Sequence, residues 1–273
     1  MLRREQQRSW LQENIPEPMR ARVAEEIRYH RKSFFKVGDY ERGRDFKYLL
    51  DEEHWDARGY LQQLLREKSR LDILDSGAGW LEFSRDVKDA FGGSVHVTAL
   101  NPVFPIPPKQ EPVRGEFLER VREEVKAQTP VPGLMSYVSG RYKKKVQEGV
   151  DDHMRRMARV EENYGLLDDY RVSTVENYST DRKHDVVVDL SGPLMYSRHP
   201  ERVLEVYFNT TKDDGTVILG LPSNWYPNIQ KLVNEEFGQT SKRAKETGGY
   251  FRIQRLTETI FELKKTRGKV MQD

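Results

Sequence analysis

One stretch constrains the fold of this chain more than any other: Leu71-Asp72-Ile73-Leu74-Asp75-Ser76-Gly77-Ala78-Gly79-Trp80-Leu81-Glu82-Phe83. An apolar segment ends in a carboxylate, turns through two glycines and opens into a helical pattern. In an α/β protein such a turn brings bare backbone and one acidic side chain to a small polar ligand at the carboxyl edge of a sheet. The absence of side chains lets a ligand approach closely. Asp75 is placed to accept hydrogen bonds from a cationic group. A branched side chain at Gly77 is expected to block that approach while leaving most of the fold intact.

The pattern that follows is an alternation of strands and helices. Leu71–Asp75 reads as a first strand, Trp80–Phe91 as an amphipathic helix stopped by Gly92-Gly93, and the β-branched Ser94–Leu100 as a second strand. Tyr170–Val175 and His184–Leu190 read as the third and fourth strands. Pro200–Asn209 is a helix, and Thr216–Leu221 a fifth strand after the turn Asp213-Asp214-Gly215. Tyr226–Phe237 is a further helix, and Tyr250–Leu256 with Thr259–Lys264 a terminal hairpin. Alternation of this kind predicts a mostly parallel sheet covered on both faces.

Two regions depart from it. Residues 1–70 are polar and helix-forming, with Val23, Ile27 and Phe34 at helical spacing and a second stripe of Tyr60, Leu61, Leu64 and Leu65. They read as a helical extension in front of an α/β domain over 71–273. Pro16 and Pro18 punctuate its start, and Gly38 and Gly43 bracket a turn. Residues 102–169 are far longer than an ordinary connection. They hold a proline-rich run, a charged helix over Glu116–Gln128 and another over Tyr142–Asn163, and read as a helical insertion.

Asp75-Ser76-Gly77-Ala78-Gly79 matches the acid-x-Gly-x-Gly motif of the class I S-adenosylmethionine-dependent methyltransferases, and the chain resembles that family over roughly 71–101 and 170–265. A second match is the apolar strand ending in Asp189, followed by Gly192-Pro193-Leu194-Met195-Tyr196, a helix near His199-Pro200 and an Asp-Asp-Gly turn. The resemblance implies a doubly wound, Rossmann-like sheet of seven strands with the last antiparallel. It implies S-adenosylmethionine as cofactor. Asp75, Ser76, Gly77, Ala78 and Gly79 would hold its methionyl part, Asn101 its ribose, and Glu176 and Asn177 its adenine, with Pro102 and Asp189 also among the cofactor-binding residues. Leu81 stands where relatives often have a third glycine, and Asn101 where they usually have an acid.

Asp189, Tyr196 and His199 are the candidate catalytic residues, expected to face the methyl group from the loop after the fourth strand. Asp189 reads equally as a strand-end carboxylate that caps backbone amides, and His199 as a helix-start or surface residue. A methyl transfer needs little beyond in-line placement of the acceptor, and any general base must reach its nucleophile. The expected acceptor is a small molecule, with RNA or protein behind it. Two rivals are a methyltransferase-like binding module without catalysis and a nucleic-acid binder. The second would use residues 139–160, where seven Lys and Arg stand against three acids, with Tyr137 and Tyr142 able to stack on bases. A solvated helix face explains the same charge. Trp225-Tyr226 and Trp55 with Tyr60 could wall a pocket or pack in the core.

Composition narrows the classes. The net charge is +2, so nucleic-acid binding has to come from a local patch. With no cysteine there are no disulfides, thiolate zinc sites or cysteine nucleophiles. The six histidines show no close ligand pair, and no metal site is expected. No run approaches the ~18 apolar residues of a membrane span. The start of the chain lacks a secretory pattern, and a cytoplasmic protein is expected.

Overall fold

The computed structural model describes residues 44–101, 147–148, 151, 155, 158–171 and 173–267. The positions read at Pro16, Pro18, Val23, Ile27, Phe34, Gly38 and Gly43 lie outside them. So do Pro102, the helix at Glu116–Gln128, Tyr137 and most of the basic 139–160 segment. Contacts divide the chain into one unit of Met1–Arg20 with Phe104–Gly165 and another of Ala21–Val103 with Leu166–Asp273. In the first, residues 158–164 are helical, with Val160 buried and Arg155 and Arg159 exposed. The second contains everything that follows.

Seven strands among the described residues form one sheet. They are β1 (Leu71–Asp75), β2 (Val95–Leu100), β3 (Asp169–Arg171), β4 (His184–Leu190), β5 (Thr211–Gly220), β6 (Gly249–Arg255) and β7 (Ile260–Arg267). Their order is β3-β2-β1-β4-β5-β7-β6. The first five run parallel, and β7 is antiparallel to both neighbours. The central β4 is buried at all seven positions, as its run of valines requires of a strand covered on both faces.

Successive side chains of a strand point to opposite faces, and here they feed two cores. Ile73, Val186, Val188 and Ile218 pack with Leu49, Trp55, Leu61, Phe83 and Val87. Leu74, Val187, Val217 and Leu219 pack with Leu204, Tyr207, Phe208 and Phe237. The first face is covered by α1 (Phe46–Asp51), α2 (Ala57–Glu67) and α3 (Glu82–Phe91), the second by α5 (Pro200–Thr210) and α6 (Tyr226–Leu232). Between them α4 (Pro193–Tyr196) is a single turn, and α7 (Lys242–Thr247) precedes β6. Asp45 and Asp56 cap α1 and α2 by accepting from Tyr48 N at 2.7 Å and Gly59 N at 2.8 Å. Among the described residues no helix is long and apolar enough to cross a membrane.

Several boundaries differ from the sequence reading for local reasons. The third strand stops at Arg171, and Val175–Asn177 is a 3₁₀ turn closed by Asn177 N donating to Thr174 O at 3.2 Å. As the edge strand, β3 has only β2 to pair with, over three residues. Helix α3 starts at Glu82 rather than Trp80, because Leu81 sits in the left-handed region at φ +64°. The Asp213-Asp214-Gly215 turn is a bulge inside β5, with Asp214 at φ +62° and the pairing with β4 shifted across it. A Cβ on Gly215 would stand 2.7 Å from Thr211 Cγ2. Helix α6 runs on as a π turn over Val233–Phe237. Trp55 is core, and Tyr60 spends its hydroxyl on Glu262 at 2.6 Å. Tyr226 stacks on Phe261 at 4.6 Å.

Candidate functional site

Because β1 to β4 run parallel, their carboxyl ends share one edge of the sheet. That edge collects Asp75 from β1, Asn101 after β2, the Val175–Asn177 turn after β3 and Asp189 from β4. In open α/β sheets this edge is where ligands bind.

The glycine turn is pinned by the protein itself. Ser76 N donates to Val188 O at 2.9 Å, Ala78 N to Leu100 O at 3.2 Å and Leu81 N to Ala78 O at 2.6 Å. Asn101 Nδ2 donates to Gly79 O at 2.6 Å. The amides of Ser76 and Ala78 are therefore engaged internally. The reason for glycine at 77 changes. A Cβ there would lie 2.8 Å from Pro193 Cδ and 2.9 Å from Gly192 Cα, so the residue lets the loop after β1 touch the loop after β4. Gly79 is the open position: at φ +47°, a Cβ on it would meet, among the described residues, only Gly77 O, at 3.8 Å.

Asp75 is buried and accepts from Ser84 Oγ at 2.6 Å. Burial pushes its pKa up to about 7, opposed by the Ser84 hydroxyl and reinforced by the neighbouring Asp189 carboxylate, while Arg44 and the Gly77 amide pull it back down. Near neutral pH such a group exchanges its proton readily for an arriving cation.

Asp189 points into its own loop. Its Oδ1 accepts from Gly192 N at 2.7 Å, and its Oδ2 from Leu194 N at 2.9 Å and Tyr207 Oη at 2.7 Å. Burial raises its pKa against these three donors. The carboxylate caps the start of α4, the reading the sequence offers beside the catalytic one. Tyr207, on the buried face of α5, also lies 2.8 Å from Ser76 Oγ, itself 2.9 Å from Val188 O. One phenol thus ties the turn after β1 to the turn after β4. The sequence reading missed it, since a tyrosine in an apolar helical stripe carries no signal beyond core packing.

Tyr196 is half-buried on α4. His199 precedes α5 with an exposed ring whose Nδ1 stands 3.2 Å from Glu201 Oε1, so the structure does not bring it to the buried cluster. In the turn after β3, both carboxylate oxygens of Glu176 are buried and have no hydrogen-bond partner among the described residues; the same holds for Asn177 Oδ1. Asn177 Nδ2 donates to Thr174 Oγ1 at 2.6 Å. A buried acceptor without a donor is costly, and two adjacent residues carry three such atoms.

Further along the edge a cavity of about 160 Å³ opens beyond β4 and β5. Arg44 lines it and donates to Leu190 O. Burial lowers the guanidinium pKa from its ordinary value, while Tyr48, Asp189, Glu53 and Asp75 act to raise it. Across from it, Glu53 accepts from Tyr48 Oη at 3.0 Å and from Thr259 Oγ1. Arg44 stands 31 residues before Asp75 and had no local motif to mark it.

No protein-family model and no curated protein matches the chain. Solved structures with a similar arrangement include the N-methyltransferase NodS from Bradyrhizobium japonicum WM9 in complex with S-adenosyl-L-homocysteine. It is 9% identical with a TM-score of 0.41, over 88% of this chain and 98% of that one. Magnesium protoporphyrin IX methyltransferase from Synechocystis PCC 6803 with bound SAM is 12% identical with a TM-score of 0.42, over 90% and 97%. The 1,6-didemethyltoxoflavin-N1-methyltransferase of Burkholderia thailandensis is 12% identical with a TM-score of 0.41, over 90% of each chain. At such values these are similarities only. By the order and direction of the seven strands, the chain has the Rossmann-like fold of the class I methyltransferases.

Proposed function

We propose that the chain is an S-adenosylmethionine-dependent methyltransferase acting on a small molecule. The observation that supports it most is the orphaned set at the carboxyl edge: Glu176 Oε1 and Oε2 with Asn177 Oδ1, buried and lacking donors among the described residues. An adenine amino group is a donor of the right size for such a set. Asp75, two strands away and near its titration point, suits the ammonium of the methionyl part. Gly79 gives the open backbone between them, and Asn101 holds its carbonyl in place from the end of β2.

When bound, the cofactor supplies a methyl group activated on a sulfonium. The chain's own residues position. Glu176 and Asn177 accept from the base, Asp75 gives up its proton and pairs with the cation, and Tyr207 keeps the two flanking loops in register. Asp189 holds the loop after β4, and Tyr196 is the remaining hydroxyl on α4 proposed to face the acceptor. Proximity carries the rate in this scheme, with no base assigned.

Equilibrium dialysis with radiolabelled S-adenosylmethionine tests the reading. Saturable binding to the folded chain is expected, and no binding at millimolar cofactor would contradict it. The rival reading, a binding module without catalysis, draws support from the full engagement of Asp189. Label transferred to any acceptor in a panel of small molecules excludes that rival.

A further inference from the structure

Helix α3 buries three of its residues, Phe83, Ser84 and Val87. Two are apolar and belong to the core that holds Leu61 and Val95. The third is a serine with no exposed surface. Its hydroxyl donates to Asp75 Oδ2 at 2.6 Å, so the first turn of the helix is tied to the end of β1. That separation is the one a hydroxyl keeps from an ionised carboxylate. We propose that Ser84 is a positioning residue for cofactor binding, whose hydroxyl sets the pH at which Asp75 ionises and takes the ammonium of S-adenosylmethionine. The proposal rests on the methyltransferase reading.

A buried carboxylate has lost the water that stabilises its charge, and a donor held in place substitutes for that water. Ser84 is such a donor, and at zero exposure bulk water does not replace its hydroxyl. A hydroxyl bonds the ionised carboxylate more strongly than the acid, so it favours ionisation. The groups that face Asp75 come from four elements. Burial opposes its ionisation most, and Asp189 at the end of β4 adds to that; Ser84 on α3 and Arg44 before α1 favour it. Among these Ser84 is the uncharged one in direct contact, so removing it changes the proton balance of Asp75 without changing the charge of the cluster.

The test is calorimetry of S-adenosylhomocysteine binding to the full chain from pH 6 to 9, in the wild type and in Ser84→Ala. A carbon-13 NMR titration of the Asp75 carboxyl, without ligand, runs beside it. Loss of the donor is expected to move the Asp75 midpoint from about 7 up by about one unit. Ser84→Ala should then bind roughly nine-fold more weakly than the wild type at pH 6 and about equally at pH 9, where both carboxylates are ionised. A merely structural defect would weaken binding by the same factor at every pH. In an Asp75→Asn background, Ser84→Ala should leave the pH profile unchanged. Should Ser84→Ala fail to fold, Ser84→Cys, whose thiol is a weak donor, should move the midpoint the same way by less. An affinity ratio independent of pH, or an Asp75 midpoint that stays in place, overturns the role of Ser84 alone. Absence of binding by the wild type at every pH overturns the methyltransferase reading, and the carboxyl titration still decides whether Ser84 governs the ionisation of Asp75.

Discussion

The hydroxyl of Tyr207 lies 2.7 Å from Asp189 Oδ2, and on its other side 2.8 Å from Ser76 Oγ, so a helix on one face of the sheet clamps two loops at its edge. Removing it in Tyr207→Phe leaves two buried polar groups short of a partner. A loss of about 1–3 kcal/mol is expected, read from urea unfolding. Affinity for S-adenosylhomocysteine should fall as well, because both flanking loops are loosened. Unchanged stability and affinity would show that the clamp is incidental.

Gly77 and Gly79 should separate by mechanism. Gly77→Val places branched carbons where Pro193 Cδ and Gly192 Cα already stand. The expected result is a lowered melting temperature together with lost binding. Gly79→Ala meets no atom of the described residues closer than 3.8 Å and carries the cost of its left-handed backbone, about 1–2 kcal/mol. Thermal unfolding of the two variants checks this order.

The glycine turn shows what the sequence could and could not convey. Leu71–Asp75 and His184–Leu190 were legible to the residue, because parallel strands covered on both faces carry short apolar runs, here Ile73-Leu74 and Val186-Val187-Val188. The acid-x-Gly-x-Gly motif identified the turn correctly. It could not reveal that Gly77 faces Pro193, since 116 residues separate them in the chain and no local pattern encodes the contact. Arg44 and Tyr207 escaped for the same reason: each acts at a distance through tertiary packing. Glu176 was reached through family resemblance, and only burial exposed its lack of a donor.

Two buried groups should tilt the acid stability profile in opposite directions. His184, buried with Nδ1 lacking a partner among the described residues, has its pKa lowered by burial to about 4. The unfolded chain then binds more protons, so this contribution is complete above about pH 6.5 and fades as pH falls toward 4. It amounts to roughly 3 kcal/mol at one pKa unit per ~1.4 kcal/mol. Asp75, raised to about 7, does the reverse: the folded state holds the proton, and stability falls as pH rises from about 4 to 7. Asp75→Asn should therefore make stability rise more steeply with pH across that window than in the wild type. Urea midpoints at half-unit pH steps read this, and parallel profiles would contradict it.

Asp75 should also make cofactor binding pH-dependent. An ammonium pairs with the ionised carboxylate, so affinity for S-adenosylhomocysteine is expected to rise as pH increases through about 7, while a proton is released to the buffer. Calorimetry in buffers of different ionisation enthalpy measures that proton directly. Asp75→Asn should release none.

The most direct measurement concerns Glu176. Its carboxylate is a cost to the unliganded protein and, on this account, an asset once a donor arrives. Glu176→Leu removes the partnerless buried carboxyl oxygens at similar volume. The account predicts a variant that melts above the wild type and binds S-adenosylhomocysteine at least ten-fold more weakly by calorimetry. A variant that keeps wild-type affinity, whatever its stability, would contradict the claim that this edge of the sheet holds the adenine.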